Sequence, residues 1–341
     1  MTRSRLAGTA LRVTVSAAVF AALVEYVGLE AIVAQLRAID ARFVALALLL
    51  LVAESLVRCV NWRQLAREVG CALPLREVVH AYYVGGFIGA VLPSTLSTDA
   101  ARSTIVAMRN GSRVEVLLAT TVTLNLISLG AASLCALLAC LWIFARSGTL
   151  PPTALAALLA GGGYLAGLAV LGMLAGRLRA RVPGADSDAS SGAGRGVFHA
   201  VRRVAERFAG SLLVIRSGAA EIGRVGATAV ASFALRTAGI QALLVGAGTG
   251  VPWAGLVVVG PLLAIAAVLP ISVAGIGGLQ AVTVYVLGEW GVSPEQATAV
   301  SLVHTALFVV LHGLGSIPYV LARPALAQTA PRKNLSSGPP H

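Results

Sequence analysis

The chain has 341 residues, of which 57% are hydrophobic and 12% are charged, and its mean hydropathy is +0.85. Soluble domains carry about 25% charged residues, so this composition excludes an ordinary soluble protein and indicates a polytopic membrane protein. The formal net charge of +12 does not indicate a nucleic-acid partner, because no basic face alternates with the aromatic residues that a base-stacking groove needs.

The positions of the basic residues predict the membrane topology. Positive charge is concentrated in four regions, namely 1–12, 58–77, 176–224 and 323–341. Short loops on the cytosolic side of a membrane carry an excess of Lys and Arg. We therefore expect a multi-pass protein of the plasma membrane with both termini in the cytosol.

Apolar runs predict a series of helices along the chain. In order, we expect a first span at 10–29, an amphipathic surface helix at 29–40, a second span at 42–60, a polar loop at 61–77, a broken segment at 78–108, spans at 114–144 and 153–175, a span at 225–247, a second broken segment at 253–274, and final spans at 276–290 and 298–321. The predicted fold class is thus an all-α polytopic membrane protein with about 7–9 membrane segments, some of them broken or re-entrant.

These segments divide into two halves, 1–175 and 225–322. Between them, 176–224 begins as a Gly/Ser-rich linker and continues as an amphipathic helix, which either lies on anionic lipid or connects the halves in solvent. The Pro- and Ser-rich basic tail at 323–341 is expected to be disordered.

The broken segment at 78–108 has a polar centre. It contains Pro93, Ser94, Thr95, Ser97, Thr98, Asp99 and Arg102. Every backbone polar group in hydrocarbon must be paired, so a helix broken here requires surrounding protein or water. Because Arg109 and Arg113 follow the segment, we expect it to enter and return on the cytosolic side.

The second half repeats this pattern. Residues 90–95 read AVLPST, and residues 267–272 read AVLPIS. Interrupted apolar segments at corresponding positions of two halves indicate a transporter-like site. We expect Pro93 and Pro270 to lie at similar depth near the bilayer middle, with helical geometry ending at Leu92 and Leu269.

A site for an anionic group is the function that these residues favour. Half-helix N-termini attract anions, and Arg102 and Arg236 would add charge-assisted hydrogen bonds. The candidate substrate-binding residues on this basis are Pro93, Ser94, Thr95, Thr98, Asp99, Arg102, Arg236, Pro270, Ser272 and Gly275. The alternative is that Asp99 caps a helix at the cytosolic surface and that Arg102 lies among the headgroups.

Glu54 and Arg58 are four residues apart in the second span, where they are interpreted as a local ion pair. On that interpretation, we expect Asp99→Asn and Arg102→Gln to reduce function more than Glu54→Gln does. No catalytic residue, cofactor or metal site is predicted, because motifs such as G-x-S-x-G and a phosphate loop are missing from the sequence.

Three phrases carry a resemblance to a known family. They are Arg58-x-x-x-Trp62-Arg63, Leu92-Pro93 followed by Asp99-x-x-Arg102, and Pro270-x-Ser272-x-x-Gly275-x-Gly277-Gly278. Their order over about 10–322 resembles the membrane domain of the lysylphosphatidylglycerol synthase family, the flippase-like integral membrane proteins. The resemblance implies a protein that handles or flips lipid headgroups, and it adds Gly277, Gly278 and Gln280 to the candidate site.

The chain departs from the family pattern at several positions. Ser97-Thr98 stands where the family usually has two glycines, Gln280 where it usually has glutamate, and Asn125 with Ser128 where it often has an Arg/Asp pair. Only a short tail follows residue 322, so we expect this chain not to make lysyl-lipid itself.

Three functions remain in competition after this comparison. The first is a lipid flippase or a transporter of a lipid-linked intermediate, with a membrane lipid as its substrate. The second is a membrane-embedded transferase, and the third is a non-transporting scaffold for a separate transferase partner. A transferase needs a carboxylate base and usually a soluble lobe, and neither is evident in the sequence.

The topology yields a direct prediction. Reporter cysteines placed at Ser4, Ser190 and Ser336 of a cysteine-free variant should react only with reagents on the cytosolic side, because all three lie in basic regions. The measurement is labelling of intact cells with a membrane-impermeant maleimide. Labelling of any reporter from outside would refute this topology.

Overall fold

A computed structural model describes residues 14, 17–91, 95–181, 219–268 and 277–328. These residues form eleven helices and no strand. The helices are α1 (Ala17–Val27), α2 (Leu29–Ala38), α3 (Ala41–Glu68), α4 (Leu75–Val91), α5 (Thr95–Asn110), α6 (Val114–Ser147), α7 (Pro152–Arg181), α8 (Ala219–Gly246), α9 (Trp253–Val268), α10 (Gly278–Gly288) and α11 (Pro294–Gln328). The predicted all-α fold class is confirmed.

Five of the described helices, α3, α6, α7, α8 and α11, are long and apolar enough to cross a membrane. The count becomes six if α1 and α2 are taken as one broken span, since their axes differ by 82°. The bend lies at Gly28, whose φ of 90° is strained for other residues. Large apolar side chains such as Leu141 and Leu159 are exposed on the outside of the bundle, as expected for helices that contact lipid.

The helices begin and end at two opposite sides of the bundle. The backbone N–H of Asp40 donates to the carbonyl of Gly246 at 3.0 Å, and the N–H of Thr153 donates to Oε2 of Glu289 at 2.9 Å. These contacts define what we call the acidic end. At the other end, which we call the arginine-rich end, Arg109 pairs with Glu77 at 3.1 Å between Nε and Oε2.

Two helix pairs enter the bundle from these opposite ends. In the first, α4 and α5 run antiparallel from the arginine-rich end, with Arg109 on Glu77 at the open end and Arg102 Nε bonded to the carbonyl of Tyr82 deeper in. In the second, α9 and α10 pack together from the acidic end, where Gly255 lies against Trp290. The described part of α4 ends at Val91 and that of α9 ends at Val268, and the residues that follow each of them lie outside the described residues.

Both pairs pack against α11. Gln280 at the start of α10 donates from Nε2 to Oγ1 of Thr305 at 3.4 Å, and Tyr82 of α4 stacks on His312 with ring centroids 5.7 Å apart. Seven residues separate these two positions of α11, which is about 10 Å of helix. Pro93 and Pro270 lie outside the described residues, so their common depth stays a prediction.

Small residues allow α4 to contact two neighbouring helices closely. A Cβ atom at Gly85 would lie 3.0 Å from the backbone N and 3.1 Å from the Cα of Arg102, and one at Gly86 would clash with the His312 ring. Gly89, one turn beyond Gly85, lies against Thr98 in the same way. This spacing of small residues is typical of tightly packed membrane helices.

Two apolar clusters occupy opposite ends of the bundle. One is built on Leu243, Leu244 and their neighbours near the acidic end, and the other is built on Trp62 and Val78 near the arginine-rich end. Between the clusters, α3 and α8 bury the polar side chains of Glu54, Ser55, Ser232 and Thr237. The interior is therefore divided by a polar layer at intermediate depth.

The structure corrects one predicted boundary. The polar loop expected at 61–77 is helical as far as Glu68, because Trp62 and Leu65 continue the buried stripe of α3 and the indole Nε1 donates to Thr120 Oγ1 at 3.1 Å. Helix α11 extends through Gln328, and the rest of the tail lies outside the described residues, so its disorder stays a prediction. Most of the 176–224 linker lies outside the described residues.

The close approach of α4 and α5 predicts a difference between two glycine substitutions. Gly85→Ala should lower the thermal stability of the purified protein in detergent, since overpacking against the α5 backbone costs about 1–3 kcal/mol. Gly163→Ala, at a helical position with open space around it, should leave the stability unchanged or raise it slightly. Equal shifts in melting temperature for the two variants would contradict this packing.

Candidate functional site

Six polar side chains of α3, α5, α6 and α8 form a continuous charged network inside the bundle. Its members are Glu54, Arg58, Asp99, Arg102, Asn125 and Arg236. Charged groups in a membrane interior are costly and mark functional sites by default. The network is therefore the candidate site.

Glu54 is the centre of one part of the network. Its side chain is 3% exposed, and its Oε1 atom accepts a hydrogen bond from Arg236 Nη2 at 2.7 Å. Ser232 Oγ donates to the same oxygen at 3.3 Å, while Arg58 Nε lies 3.9 Å away. The short contact joins α3 to α8, so the stronger partner of Glu54 is on another helix.

This geometry corrects the interpretation of Glu54 and Arg58 as a self-contained local pair. The i,i+4 contact exists, but at 3.9 Å it is longer than the 2.7 Å contact with Arg236. Glu54 therefore has the predicted local partner and also a closer partner on another helix, and its rank relative to Asp99 and Arg102 stays a prediction.

Asn125 connects the two parts of the network. Its Oδ1 atom accepts from Arg58 Nη2 at 2.8 Å, and its Nδ2 atom donates to Asp99 Oδ2 at 2.6 Å. The amide thus satisfies a guanidinium of α3 with one atom and a carboxylate of α5 with the other. Asn125 therefore makes interhelical hydrogen bonds to both α3 and α5.

Asp99 and Arg102 form the part of the network nearest α4. Asp99 Oδ1 lies 3.6 Å from Arg102 Nη1, and the two residues are 4% and 6% exposed. The Arg102 guanidinium lies 3.9 Å above the centroid of the Tyr82 ring, and its Nε donates to the Tyr82 carbonyl at 3.2 Å. An arginine over an aromatic face is a favourable cation–π contact.

The alternative of a surface helix start does not fit Asp99. Helix α5 begins at Thr95, and Asp99 lies in its second turn with a carboxylate bonded to Asn125. An N-cap residue would precede the helix and accept from its first backbone N–H groups. Asp99 and Arg102 are interior members of the network.

The network contains more positive than negative formal charge. Three guanidinium groups face two carboxylates, which leaves one positive charge uncompensated among these six residues. The side chain of Arg236 is 43% exposed, although its partner Glu54 is buried. Arg236 precedes the end of α8 by ten residues, about 15 Å of helix and half of a hydrocarbon core of roughly 30 Å.

Other predicted site residues have different surroundings. Gln280 is completely buried, and its Oε1 atom accepts from the Gly277 N–H at 2.7 Å while its Nε2 atom contacts Thr305. Gly277 has a φ of 90° and caps α10, which begins at Gly278. Gln280 therefore fixes the start of α10 and does not take part in the charged network.

Several candidates cannot be placed against the network. Thr98 is half-buried and packs against Gly89. The side chain of Thr95 and the whole of Pro93, Ser94, Pro270, Ser272 and Gly275 lie outside the described residues. Within the part of the chain that the structure describes, no group of three His, Cys, Asp or Glu side chains is arranged to hold a metal ion.

The sequence-based site omitted four residues that contact or complete the network. They are Glu54, Arg58, Tyr82 and Asn125. A signal for three of them was present, since two charges and an amide stand in otherwise apolar spans. Tyr82 carried no such signal, because aromatic residues are common in membrane helices.

Comparison with known proteins identifies the family of the chain. The family described as Lysylphosphatidylglycerol synthase TM region matches residues 9–315, and no protein with a curated description matches the chain. The matched residues include all eleven described helices except the last part of α11. The chain therefore belongs to the lysylphosphatidylglycerol synthase transmembrane-region family.

Proposed function

We propose that this protein binds the anionic headgroup of a membrane lipid, or of a lipid-linked intermediate, and moves it across the bilayer. The family and the apolar helices support a membrane protein that acts on lipids. The observation that carries the finer proposal is the charged network, with its excess positive charge and the partly exposed Arg236. We assign the arginine-rich end to the cytosol, because the cytosolic side of a membrane protein carries an excess of Lys and Arg.

A headgroup that crosses the bilayer loses its hydrogen bonds to water, and the polar groups of the network replace some of those bonds. A phosphodiester accepts charge-assisted hydrogen bonds from guanidinium groups, and in a poorly solvated site these are stronger than in water. Arg236 offers such donors at mid-depth while the acyl chains remain in lipid. The hydroxyls of Ser94, Thr95, Thr98 and Ser272 would add contacts to headgroup hydroxyls if the inner ends of both helix pairs reach this depth.

The arrangement of the carboxylates favours transport over transfer chemistry. A membrane-embedded transferase needs a carboxylate that is free to accept a proton from its substrate. In the network, Glu54 is bonded by Arg236 and Ser232, and Asp99 is bonded by Asn125 beside Arg102. Both are held as acceptors by donors of the protein, which suits a charge-compensating role.

We predict that Arg236→Gln slows lipid movement by at least about tenfold, the effect of losing roughly 1.4 kcal/mol of headgroup interaction. The measurement is the rate at which an impermeant reductant bleaches fluorescently labelled phosphatidylglycerol in proteoliposomes. Arg109→Gln is the matched control, because it removes a guanidinium that pairs with Glu77 outside the network.

Each result of this experiment decides between the proposals. Wild-type protein that does not accelerate bleaching beyond empty liposomes would reject transport and favour a scaffold for a partner transferase. Equal rates for wild type and Arg236→Gln would reject the assigned site.

Glu54→Gln should slow lipid movement more than Asp99→Asn. The substitution removes the carboxylate that Arg236 and Arg58 share, so the anionic headgroup is held too strongly to leave. After Asp99→Asn, Arg102 retains the Tyr82 carbonyl and ring. Initial rates at equal reconstituted amounts test the order, and a slower Asp99→Asn variant would contradict it.

A further inference from the structure

Glu54 lies between two guanidinium groups that it contacts unequally. Its Oε1 atom is 2.7 Å from Arg236 Nη2 and 3.9 Å from Arg58 Nε. Arg58 Nε is buried and has no hydrogen-bond partner. A buried donor without a partner is rare in folded proteins and calls for an explanation.

We propose that Glu54 exchanges partners during the cycle, moving from Arg236 to Arg58 Nε, and that this exchange frees Arg236 to bind an anionic phosphate-bearing headgroup. The inference rests on the proposed function and assigns to Glu54 and Arg58 the control of its headgroup site. The movement required is small, since shortening the 3.9 Å contact by about 1 Å gives an ordinary N–H···O distance.

The exchange never leaves the buried carboxylate of Glu54 without a cation. A buried carboxylate left without a cation is strongly unfavourable, so Glu54 leaves Arg236 only if another cation accepts it. Arg58 is held ready for this by Asn125, which is itself bonded to Asp99. The entering headgroup brings the negative charge that Arg236 loses.

The exposures of the two arginines fit their different roles. The Arg236 side chain is 43% exposed and accessible to a ligand, whereas the Arg58 side chain is 14% exposed and enclosed. Arg58 is therefore a positioning residue that acts through Glu54 and does not touch the headgroup. Because the ligand replaces a carboxylate, it must carry a net negative charge, which a zwitterionic headgroup does not.

The test is a double-mutant cycle on lipid binding by the full chain. Purified protein in detergent is titrated with phosphatidylglycerol, phosphatidylcholine or inorganic phosphate, and binding is quantified by native mass spectrometry. The variants are Glu54→Gln, Arg58→Gln, the double variant and Arg236→Gln, with Arg109→Gln as a charge control.

Partner exchange predicts a specific non-additive pattern. Glu54→Gln should tighten phosphatidylglycerol binding, and Arg58→Gln should weaken it by at least about fivefold, the lower range of coupling between sites. In the Glu54→Gln background, Arg58→Gln should have no further effect, because no carboxylate is left to accept. If Arg58→Gln alone does not fold, Glu54→Gln can still be compared with the double variant, because the double variant loses one charge of each sign.

Other outcomes overturn the exchange. If Arg58→Gln weakens binding by the same factor in both backgrounds, Arg58 acts only through its charge, and the exchange is rejected. Equal binding of phosphatidylcholine and phosphatidylglycerol also rejects it. Inorganic phosphate that follows the predicted pattern would support the exchange and identify free phosphate as the ligand. If the exchange is rejected but transport still depends on Arg236, the proposed function stands.

Discussion

The ion pair between Glu54 and Arg236 joins α3 to α8 inside the bundle, and the buried carboxylate requires a cation beside it. Neither residue is tolerable alone in an apolar bundle, because an unpaired charge at that depth is costly. The 2.7 Å contact lies between two apolar clusters that both helices share. Helix association in lipid lacks a hydrophobic driving force, so a polar contact of this kind fixes both the register and the rotation of the two helices.

Glycine packing gives the other half of the network its geometry. Arg102 fits beside α4 only because Gly85 has no side chain, and its guanidinium then lies on the Tyr82 ring. An adjacent side of α4 packs on His312 of α11 through Gly86. A single helix thus connects the charged network to the helix on which the second pair also rests, and a shift of α4 would alter both contacts.

Sequence patterns predicted the features that depend on local periodicity. Hydropathy located the five helices that are long enough to cross a membrane, whereas the span expected at 276–290 is the shorter helix α10. The breaks expected at Leu92 and Leu269 lie outside the described residues and stay predictions. The partner of Glu54 was not predictable in this way, because the i,i+4 rule proposes Arg58 whereas Arg236 is 182 residues distant in sequence. The helical stretch at 61–68 was missed for a related reason, since its polar residues concealed Trp62 and Leu65, which are buried by α6 and its neighbours.

The two helix pairs, which enter from opposite ends, differ in charge. The first contributes Asp99 and Arg102 to the network, whereas residues 253–288 contain no charged side chain at all. Gln280, at a position where charge was expected from the family resemblance, instead caps α10. The positive charge of the second half therefore comes from Arg236 of α8. On the proposed function, the charges that recognise a headgroup would therefore come from α3, α5 and α8, because the sequence of the second pair supplies none.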